Sequence, residues 1–261
     1  MNQRTSKILF FTYGVACYAI FFATFLYTIG FLGGFAVPKT IDSGATGGLA
    51  MALAIDIALL GLFGVQHSVM ARPGFKAWWT KIVPTPIERS TYVLASSLVL
   101  VLLFWQWRPL PSSLFTLDGT IGAAFAYGMF ALGWFVVLYS TFLINHFDLF
   151  GLRQVFLHLR SRQAPQLPFA TPSLYRLVRH PLYVGWLLCF WATPTMTVGR
   201  LLFAAVTTGY ILIAIRFEER DLVAVHGKDY ERYRERTPML MPKLGSTRPA
   251  ASDEGVAPTR A

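Results

Sequence analysis

The sequence predicts an all-α membrane protein, a polytopic helix bundle of about six spans with a short C-terminal helical hairpin and a cytoplasmic helix extension. Of its 261 residues, 54% are apolar and 14% are charged, whereas a soluble domain carries about 25% charged residues. Several apolar runs approach or exceed the roughly 20 residues that a transmembrane helix needs. This composition excludes disordered, collagen-like, coiled-coil and disulfide-stapled secreted proteins. Cys17 and Cys189 lie in apolar runs without metal-ligand spacing, so we expect buried thiols and no metal site.

The first four predicted spans are long runs with almost no charge. They cover residues 8–37, 43–70, 91–107 and 119–145, and Asp56 in the second run is their single charged residue. The first run is too long for a cleaved secretory signal and is expected to remain as an anchor. An acidic residue inside a membrane is by default a functional candidate, for instance on a proton path. For Asp56 we favour a structural role, as a carboxyl hydrogen-bonded to a Ser, Thr or Tyr of another span.

Two shorter apolar runs, 181–199 and 201–215, predict the C-terminal hairpin. Pro194 lies near the turn between them, and each run is close to the lower limit for spanning a membrane. From 216 to 236 the last helix is expected to continue out of the membrane as a charged, amphipathic segment.

Two segments are predicted to lack regular structure. Three prolines between residues 163 and 172 interrupt any helix in the loop that precedes the hairpin. Residues 245–261 are rich in Ser, Pro, Ala and Gly and are expected to form a disordered tail. Residues 1–244 are therefore predicted to be one integral-membrane domain.

The basic residues predict the orientation of the chain. Twenty of the 23 Lys and Arg residues lie at the N-terminus, in the connections after the second and fourth spans, and in the tail. Positively charged loops stay in the cytoplasm, so both termini and the two long connections are expected there. The net charge of +10 flanks apolar runs instead of forming one basic face with stacking aromatics, which excludes nucleic-acid binding.

The start of the fifth span carries the sequence Arg179-His180-Pro181-Leu182-Tyr183-Val184-Gly185. Proline suits the first position of a helix, where the missing N–H would have no partner. The free amides of that turn, together with Arg179 and His180, would suit an anion such as a carboxylate. Gly185 would allow a ligand or a neighbouring backbone to approach closely. The alternative is a membrane-entry segment with Arg and His at the headgroups and Tyr183 in the aromatic belt.

A second polar group follows the hairpin. Glu218 and Glu219 are adjacent where the last helix leaves the membrane, and Gly227, Tyr230 and Tyr233 follow. Two carboxylates there are costly unless they are solvated or paired, and the hairpin would return them to the side of His180. Together, these motifs resemble the isoprenylcysteine carboxyl methyltransferase and phospholipid methyltransferase superfamily of integral-membrane enzymes over residues 150–243.

The resemblance implies that S-adenosylmethionine is the cofactor and that Glu218 accepts hydrogen bonds from its ribose hydroxyls. Ala214 stands where the prenylcysteine enzymes place an arginine that holds the substrate carboxylate, which argues against such a substrate. The match at Gln154 is the weakest, because the loop that follows it is longer here. The predicted cofactor-binding residues are Gln154, Tyr175, Arg179, His180, Pro181, Leu182, Tyr183, Gly185, Glu218 and Glu219.

The ends of the second and fourth spans, residues 66–72 and 145–154, resemble a bacterial branch of the superfamily that converts a small thiol, methanethiol, to dimethyl sulfide. The resemblance implies a bacterial inner-membrane enzyme with the lipid bilayer as its surroundings. A thiol attacks as the thiolate, so a nearby base would help. The predicted catalytic residues are His146 with Asp148 as the first candidate base, His67 as the second, and Asn145. The alternative is that both histidines are structural helix ends.

Two other functions remain open from the sequence alone. The same scaffold could methylate a lipid or prenylated substrate, or it could be a transporter or sensor without enzymatic activity. The paired acidic residues and the motif at 179–185 argue against the second of these. The oligomeric state is not predicted.

Overall fold

The computed structural model describes residues 3–117, 119–162 and 169–242 and confirms an all-α membrane bundle. Within these ranges, five helices are long and apolar enough to cross a membrane. They are α1 (Gln3–Gly33), α2 (Leu49–Ala71), α4 (Thr85–Gln106), α5 (Gly119–Ile144) and α9 (Val198–His226). The shorter helices are α3 (Pro73–Trp79), α6 (His146–Leu149), α7 (Leu152–Leu159), α8 (Pro181–Trp191) and α10 (Lys228–Arg236). The tail predicted at 245–261 and two of the three loop prolines lie outside the described residues.

The fifth predicted span is not a full helix. Its helix, α8, has 11 residues and covers about 16 Å at 1.5 Å per residue, about half of the 30 Å hydrocarbon core. Where α8 ends, the indole Nε1 of Trp191 donates to Thr208 Oγ1 of α9 at 3.0 Å. The chain continues from Ala192 in an extended form, so the hairpin is half helix and half extended chain on its first side.

A two-stranded sheet, which the sequence did not predict, supports the extended half. Strand β1 (Ser113–Thr116) pairs antiparallel with β2 (Thr195–Thr197). Backbone amides of Leu117, Val198 and Gly199 extend this pairing through bonds of 2.8–3.0 Å to carbonyls of the opposite segment. Extended backbone in or near a membrane needs such partners because water is scarce there. The loop after α4 thereby supplies the backbone hydrogen-bond partners that this segment would have found within itself as a helix.

An ion pair fastens the hairpin turn to the loop after α1. Arg200 Nε lies 2.6 Å from Asp42 Oδ2, and its Nη1 donates to the carbonyl of Leu32 at 2.7 Å. Thr197 Oγ1 donates to the other oxygen of Asp42 at 2.7 Å. These bonds fix the position at which α9 begins and hence the depth at which it ends.

Asp56 is fully buried, with 0% of its surface exposed. Its Oδ1 accepts the backbone N–H of Arg108 at 2.9 Å. The favoured structural role fits this contact, but the partner is a backbone amide rather than the Ser, Thr or Tyr hydroxyl that we expected. The chain bends into its loop just after α4, which leaves that amide without a helical partner.

Helices α5 and α8 pack at very short range through glycine. A Cβ added to Gly185 would lie 2.7 Å from the backbone nitrogen of Val137 and 2.9 Å from the carbonyl oxygen of Gly133. A Cβ on Gly133 would lie 2.8 Å from the sulfur of Cys189. Cys17 and Cys189 are buried free thiols, as expected. Of the two roles considered for Gly185, the contact with a neighbouring backbone is the one that the structure contains.

The predicted continuous helix from 216 to 236 is interrupted. Helix α9 ends at Gly227, whose φ of +54° is unfavourable for other residues, and α10 then packs beside α9. Because the chain turns back here, residues 237–239 return to the beginning of α8. This return brings together the motifs that the sequence placed at the start of α8 and the end of α9.

Candidate active site

The segment after α10 lies along the residues that lead into α8. The backbone amide of Arg179 donates to the carbonyl of Pro238 at 2.8 Å, and that of His180 donates to the carbonyl of Met239 at 3.2 Å. The Arg179 Nη1 also donates to the carbonyl of Thr237 at 2.6 Å. The first turn of α8 is therefore held in place from outside the hairpin.

Arg179, His180 and Glu219 form a closed, paired group. Arg179 Nε lies 2.7 Å from Glu219 Oε1, and His180 Nε2 lies 3.0 Å from the same oxygen. The side chains of Arg179 and Glu219 are each 12% exposed and that of His180 is 4% exposed. A buried carboxylate is tolerable when it is paired and hydrogen-bonded in this way. The polar groups of these three residues are bonded to one another, so they shape the site more than they offer free groups to a ligand.

Glu218 differs from its neighbour, since its carboxylate is open. Its side chain is 43% exposed, and Tyr183 donates its hydroxyl proton to Oε2 at 2.8 Å. A carboxylate has about four lone-pair sites, so Glu218 retains capacity to accept further hydrogen bonds. The adjacent acids therefore have separate roles, one structural and one available to a ligand.

Tyr175 lies on the approach to Glu218, in a short 3₁₀ turn at Ser173–Arg176. Its carbonyl accepts the hydroxyl of Tyr233 at 2.5 Å. Burial, reinforced by the charge of Glu218, raises the pKa of the Tyr175 phenol, so the phenol stays protonated. Leu182 and Tyr183 occupy the first turn of α8 after Pro181, and the backbone amide of Tyr183 donates to the carbonyl of His180 at 3.1 Å. The open carboxylate and the aromatic rings together fit a cofactor that carries hydroxyls and a cationic sulfur.

Two more tyrosines extend this site into the bundle from Tyr183. They are Tyr92 of α4 and Tyr210 of α9, and both lie close enough to Tyr183 to interact with it electrostatically. The ring of Tyr210 packs closely on Gly64 of α2, since a Cβ added to that glycine would lie 3.2 Å from the ring. On α9, Tyr210, Ala214 and Glu218 recur every four residues and share one face. The interior beside Glu218 is therefore lined by tyrosines and by the small apolar side chain of Ala214.

His67 lies in this tyrosine-lined interior. The hydroxyl of Tyr92 lies 2.9 Å from His67 Nε2, and Ser96 Oγ lies 3.2 Å from Nδ1. Gln66 donates to Ser96 at 3.3 Å, and its own Oε1 is buried without a partner among the described residues. Gln66 Oε1 could therefore accept a hydrogen bond from a ligand; Gln154 Oε1 is likewise buried without a partner among the described residues. His67, the second candidate base, thus lies on the side of α9 that carries Glu218.

His146 lies in a different, sealed environment. Its Nε2 lies 2.8 Å from the hydroxyl of Tyr18, and its Nδ1 lies 2.9 Å from Thr141 Oγ1. Phe142 stacks on the ring at 4.4 Å between centroids. Burial lowers the pKa of His146, so the imidazole is neutral at pH 7. The adjoining cavity holds about 10 Å³, room for about one water, and is too small for a thiol.

No described hydrogen bond or ion pair joins Asp148 to the ring of His146, the candidate base with which it was predicted to act. Asp148 Oδ1 pairs with Arg153 Nη1 at 2.9 Å, and Gln154 donates to the carbonyl of Asp148 at 3.0 Å. Asn145, at a φ of 109°, accepts the backbone amide of Asp148 on its side-chain oxygen at 3.2 Å. Asn145, Asp148 and Gln154 thus form a structural turn between α5 and α7. No described contact joins this turn to Glu218.

The sequence missed the tyrosines inside the bundle. Tyr92 and Tyr210 lie in apolar runs, where tyrosine is normally attributed to packing or to the interfacial belt, so no local signal marked them. The pairing of Arg179 with Glu219 was also missed, although both residues were singled out. The expected return of the hairpin to the same side would have allowed that pair to be proposed.

Comparison with known proteins agrees with this geometry. Residues 121–229 match the family model described as phospholipid methyltransferase. Methanethiol S-methyltransferase of Crocosphaera subtropica is 55% identical over 244 residues, which is 94% of this chain and 96% of that protein. Methanethiol S-methyltransferase of Mycobacterium tuberculosis is 50% identical over 236 residues, 90% of this chain and 97% of that protein.

A more distant relative is nurim of Pan troglodytes, 31% identical over 179 residues, or 65% of this chain and 68% of that protein. No solved structure matches. The near full-length similarity at half identity or more covers the motif at the start of α8, the acidic pair and both histidine-bearing helix ends. The chain therefore belongs to the family of the methanethiol S-methyltransferases.

Proposed function

We propose that this protein transfers a methyl group from S-adenosylmethionine to the sulfur of methanethiol and forms dimethyl sulfide. The observation that carries the proposal is the similarity to enzymes of that name over more than nine-tenths of both chains. The geometry agrees in part, because the open carboxylate of Glu218 stands one turn from Ala214, where the prenylcysteine enzymes place an arginine. A cation does lie near the tyrosines: the guanidinium carbon of Arg89 is 5.4 Å from the centroid of the Tyr92 ring. A lipid or prenylated substrate would need a lateral opening between the spans, and a prenylcysteine would also need a cation at Ala214.

Glu218, Tyr183 and Tyr175 are the residues that would hold the cofactor, which supplies a methyl group on a positively charged sulfur. Glu218 accepts hydrogen bonds from hydroxyls, and its negative charge favours a cationic ligand. The Tyr183 hydroxyl, 2.8 Å from Glu218, fixes the rotamer of the carboxylate. Arg179, His180 and Glu219 act behind them, since their ion pairs hold α8 against α9. Methyl transfer between sulfurs is an in-line displacement, so alignment and exclusion of water are the main tasks of the protein.

The substrate pocket is proposed to lie between Glu218 and His67. Ala214 presents a small apolar side chain and no cation at the position where a substrate carboxylate would be held. One additional methylene in a thiol changes the free energy of discrimination between substrates by only about 1–3 kcal/mol. The tyrosine rings must therefore exclude larger thiols sterically. A short, neutral thiol fits these conditions best.

His67 is proposed as the proton acceptor in preference to His146. It lies on the Glu218 side of the bundle, its Nε2 is bonded to Tyr92, and a thiol in the pocket could take the place of that hydroxyl. The imidazole would accept the thiol proton as the thiol sulfur takes up the methyl group, which the bound cofactor would supply from its positively charged sulfur. Both nitrogens of His67 also have partners, Tyr92 and Ser96, so the preference rests on the position of His67 and on the burial of His146, which is 5% exposed.

Both termini and the cofactor site are proposed to face the cytoplasm, where S-adenosylmethionine is available. The support is the asymmetry of charge, twenty of 23 basic residues on one side. Helix α9 has 29 residues, about 43 Å, so its last turns, with the acidic pair, reach the membrane surface on that same side.

The test is incubation of the purified protein with S-adenosylmethionine and methanethiol, followed by headspace gas chromatography for dimethyl sulfide. Wild-type protein and Glu235→Gln, a change on the exposed side of α10, should both form the product. Glu218→Gln should form it far more slowly. Methylation of a prenylated cysteine or of phosphatidylethanolamine, without dimethyl sulfide, would contradict the proposal.

A further inference from the structure

Three arginines surround a groove where α9 leaves the membrane. Arg216, Arg220 and Arg234 line it together with Glu219 and Val223, and the groove encloses about 350 Å³. The first two arginines are on α9, and Arg234 comes from α10, which packs beside α9. Two helices therefore direct cations to one concave surface.

The guanidinium groups of these arginines have no hydrogen bond or ion pair within the described ranges. Three other arginines, by contrast, are paired: Arg72 with Asp221, Arg153 with Asp148, and Arg179 with Glu219. Glu219 does not neutralise the groove, because its carboxylate is bonded to Arg179 and His180. The groove is thus an excess of positive charge in a place shaped to hold a ligand.

The groove lies at the level of the lipid headgroups. Leu212 and Ile213 are 41% and 56% exposed and face the hydrocarbon, and Arg216 follows on the same helix face, one turn later. Arg216 is 18 residues after the start of α9 at Val198, about 27 Å along a helix, against about 30 Å for the hydrocarbon core. The lipid-facing surface of α9 therefore passes directly into the groove.

We propose that this arginine groove is a binding site for the phosphate of an anionic phospholipid in the adjacent leaflet. Guanidinium groups bind phosphate oxygens through paired, charge-assisted hydrogen bonds, and basic residues at a membrane surface attract anionic lipid. The acyl chains would lie along Leu212 and Ile213. The groove is on the opposite face of α9 from Tyr210 and Ala214, so the site is separate from the proposed substrate pocket.

The experiment is native mass spectrometry of the full-length protein in a neutral detergent, titrated with phosphatidylglycerol or phosphatidylcholine. Wild-type protein should retain phosphatidylglycerol in preference to phosphatidylcholine. The triple variant R216Q/R220Q/R234Q should raise the apparent dissociation constant for phosphatidylglycerol about 100-fold, since each basic residue contributes about a factor of five. Arg236→Gln removes one charge from α10 outside the groove and should change the dissociation constant less than Arg234→Gln, which removes one charge from α10 within it.

Several outcomes would overturn the proposal. Equal retention of the two lipids, or an equal loss of phosphatidylglycerol binding in the control and triple variants, would show that diffuse positive charge and not the groove holds the lipid. Displacement of phosphatidylglycerol by millimolar inorganic phosphate would make the groove a site for free anions. A fall in S-adenosylmethionine affinity in the triple variant would assign the groove to the cofactor. The triple lysine variant keeps the charge and thereby controls for folding, and it should bind phosphatidylglycerol more weakly than wild type.

Discussion

Replacement of each histidine by glutamine separates the two candidate bases. In His67→Gln the side chain can still bond to Tyr92 or Ser96, which lie 2.9 and 3.2 Å from the imidazole nitrogens, but it cannot accept a proton. A positioned general base contributes about 10²–10⁴-fold, or about 3–5 kcal/mol of activation free energy. We expect the kcat for methanethiol to fall by about that factor, with little change in S-adenosylmethionine affinity.

For His146→Gln we expect a loss of stability with little loss of activity. The imidazole bonds to Tyr18 at 2.8 Å and to Thr141 at 2.9 Å, and an amide can keep at most part of this arrangement. Loss of one buried hydrogen bond costs about 1–3 kcal/mol when the partner is left unsatisfied. The melting temperature in detergent should fall, while the kcat of the folded protein should change less than tenfold.

The assay for this pair is the initial rate of dimethyl sulfide formation at saturating cofactor, with calorimetry for the cofactor and a thermal melt for folding. The reasoning is refuted if His146→Gln is folded but inactive while His67→Gln retains full activity. If the rate of wild type rises with pH and that of His67→Gln rises in parallel from a lower level, thiolate formation in solution contributes in addition to the base.

Three further changes test the packing and electrostatics around the site. Gly185→Ala places a Cβ 2.7 Å from the backbone of Val137 and should lower the unfolding free energy by about 1–3 kcal/mol, seen in a thermal melt; an unchanged melting temperature would contradict the close packing of α5 and α8. Ala214→Arg introduces a cation one turn from Glu218 and should weaken S-adenosylmethionine binding by calorimetry, whereas Ala214→Gly should not. Since burial lowers the pKa of His146, the unfolded chain takes up a proton below about pH 6.5 that the folded protein resists. Stability should therefore fall as the pH drops from 7 to 5, less steeply in His146→Gln, and equal slopes in chemical denaturation would contradict the assignment.

The spans and the polar motifs could be predicted because they depend on local composition and spacing. An apolar run of 20 residues predicts a helix wherever it lies, and α1, α2, α4, α5 and α9 confirm this. The end of α9 at Gly227 could also have been predicted from the sequence, because this glycine precedes a segment with a different amphipathic pattern.

The half-length helix α8 and the small sheet could not be predicted, because they depend on distant partners. The stretch from 192 to 197 contains Pro194 and three β-branched threonines, which disfavour a helix, but nothing local indicates which segment it would pair with. Its extended form is stable because Ser112, Leu110 and Leu117 offer backbone partners, and these residues lie some 80 positions earlier in the chain.

The division of roles within the candidate site also depends on three-dimensional arrangement. The sequence could place His180, Glu218 and Glu219 on one side of the membrane, but their separate environments follow from which oxygen meets Arg179. Likewise, His67 and His146 both end apolar spans. Their difference arises from neighbours on other helices, Tyr92 for the one and Tyr18 for the other, which no local pattern indicates.

The most direct test of the account is the affinity of Glu218→Ala for S-adenosylmethionine, measured by isothermal titration calorimetry on the folded, purified protein. Loss of a hydrogen bond to a charged group costs about 1.5–3 kcal/mol, so the dissociation constant should rise by about 10- to 100-fold. Glu235→Ala, which removes an exposed carboxylate of α10, should bind as wild type does. An unchanged dissociation constant in folded Glu218→Ala would contradict the central claim that the open carboxylate beside Tyr183 holds the cofactor.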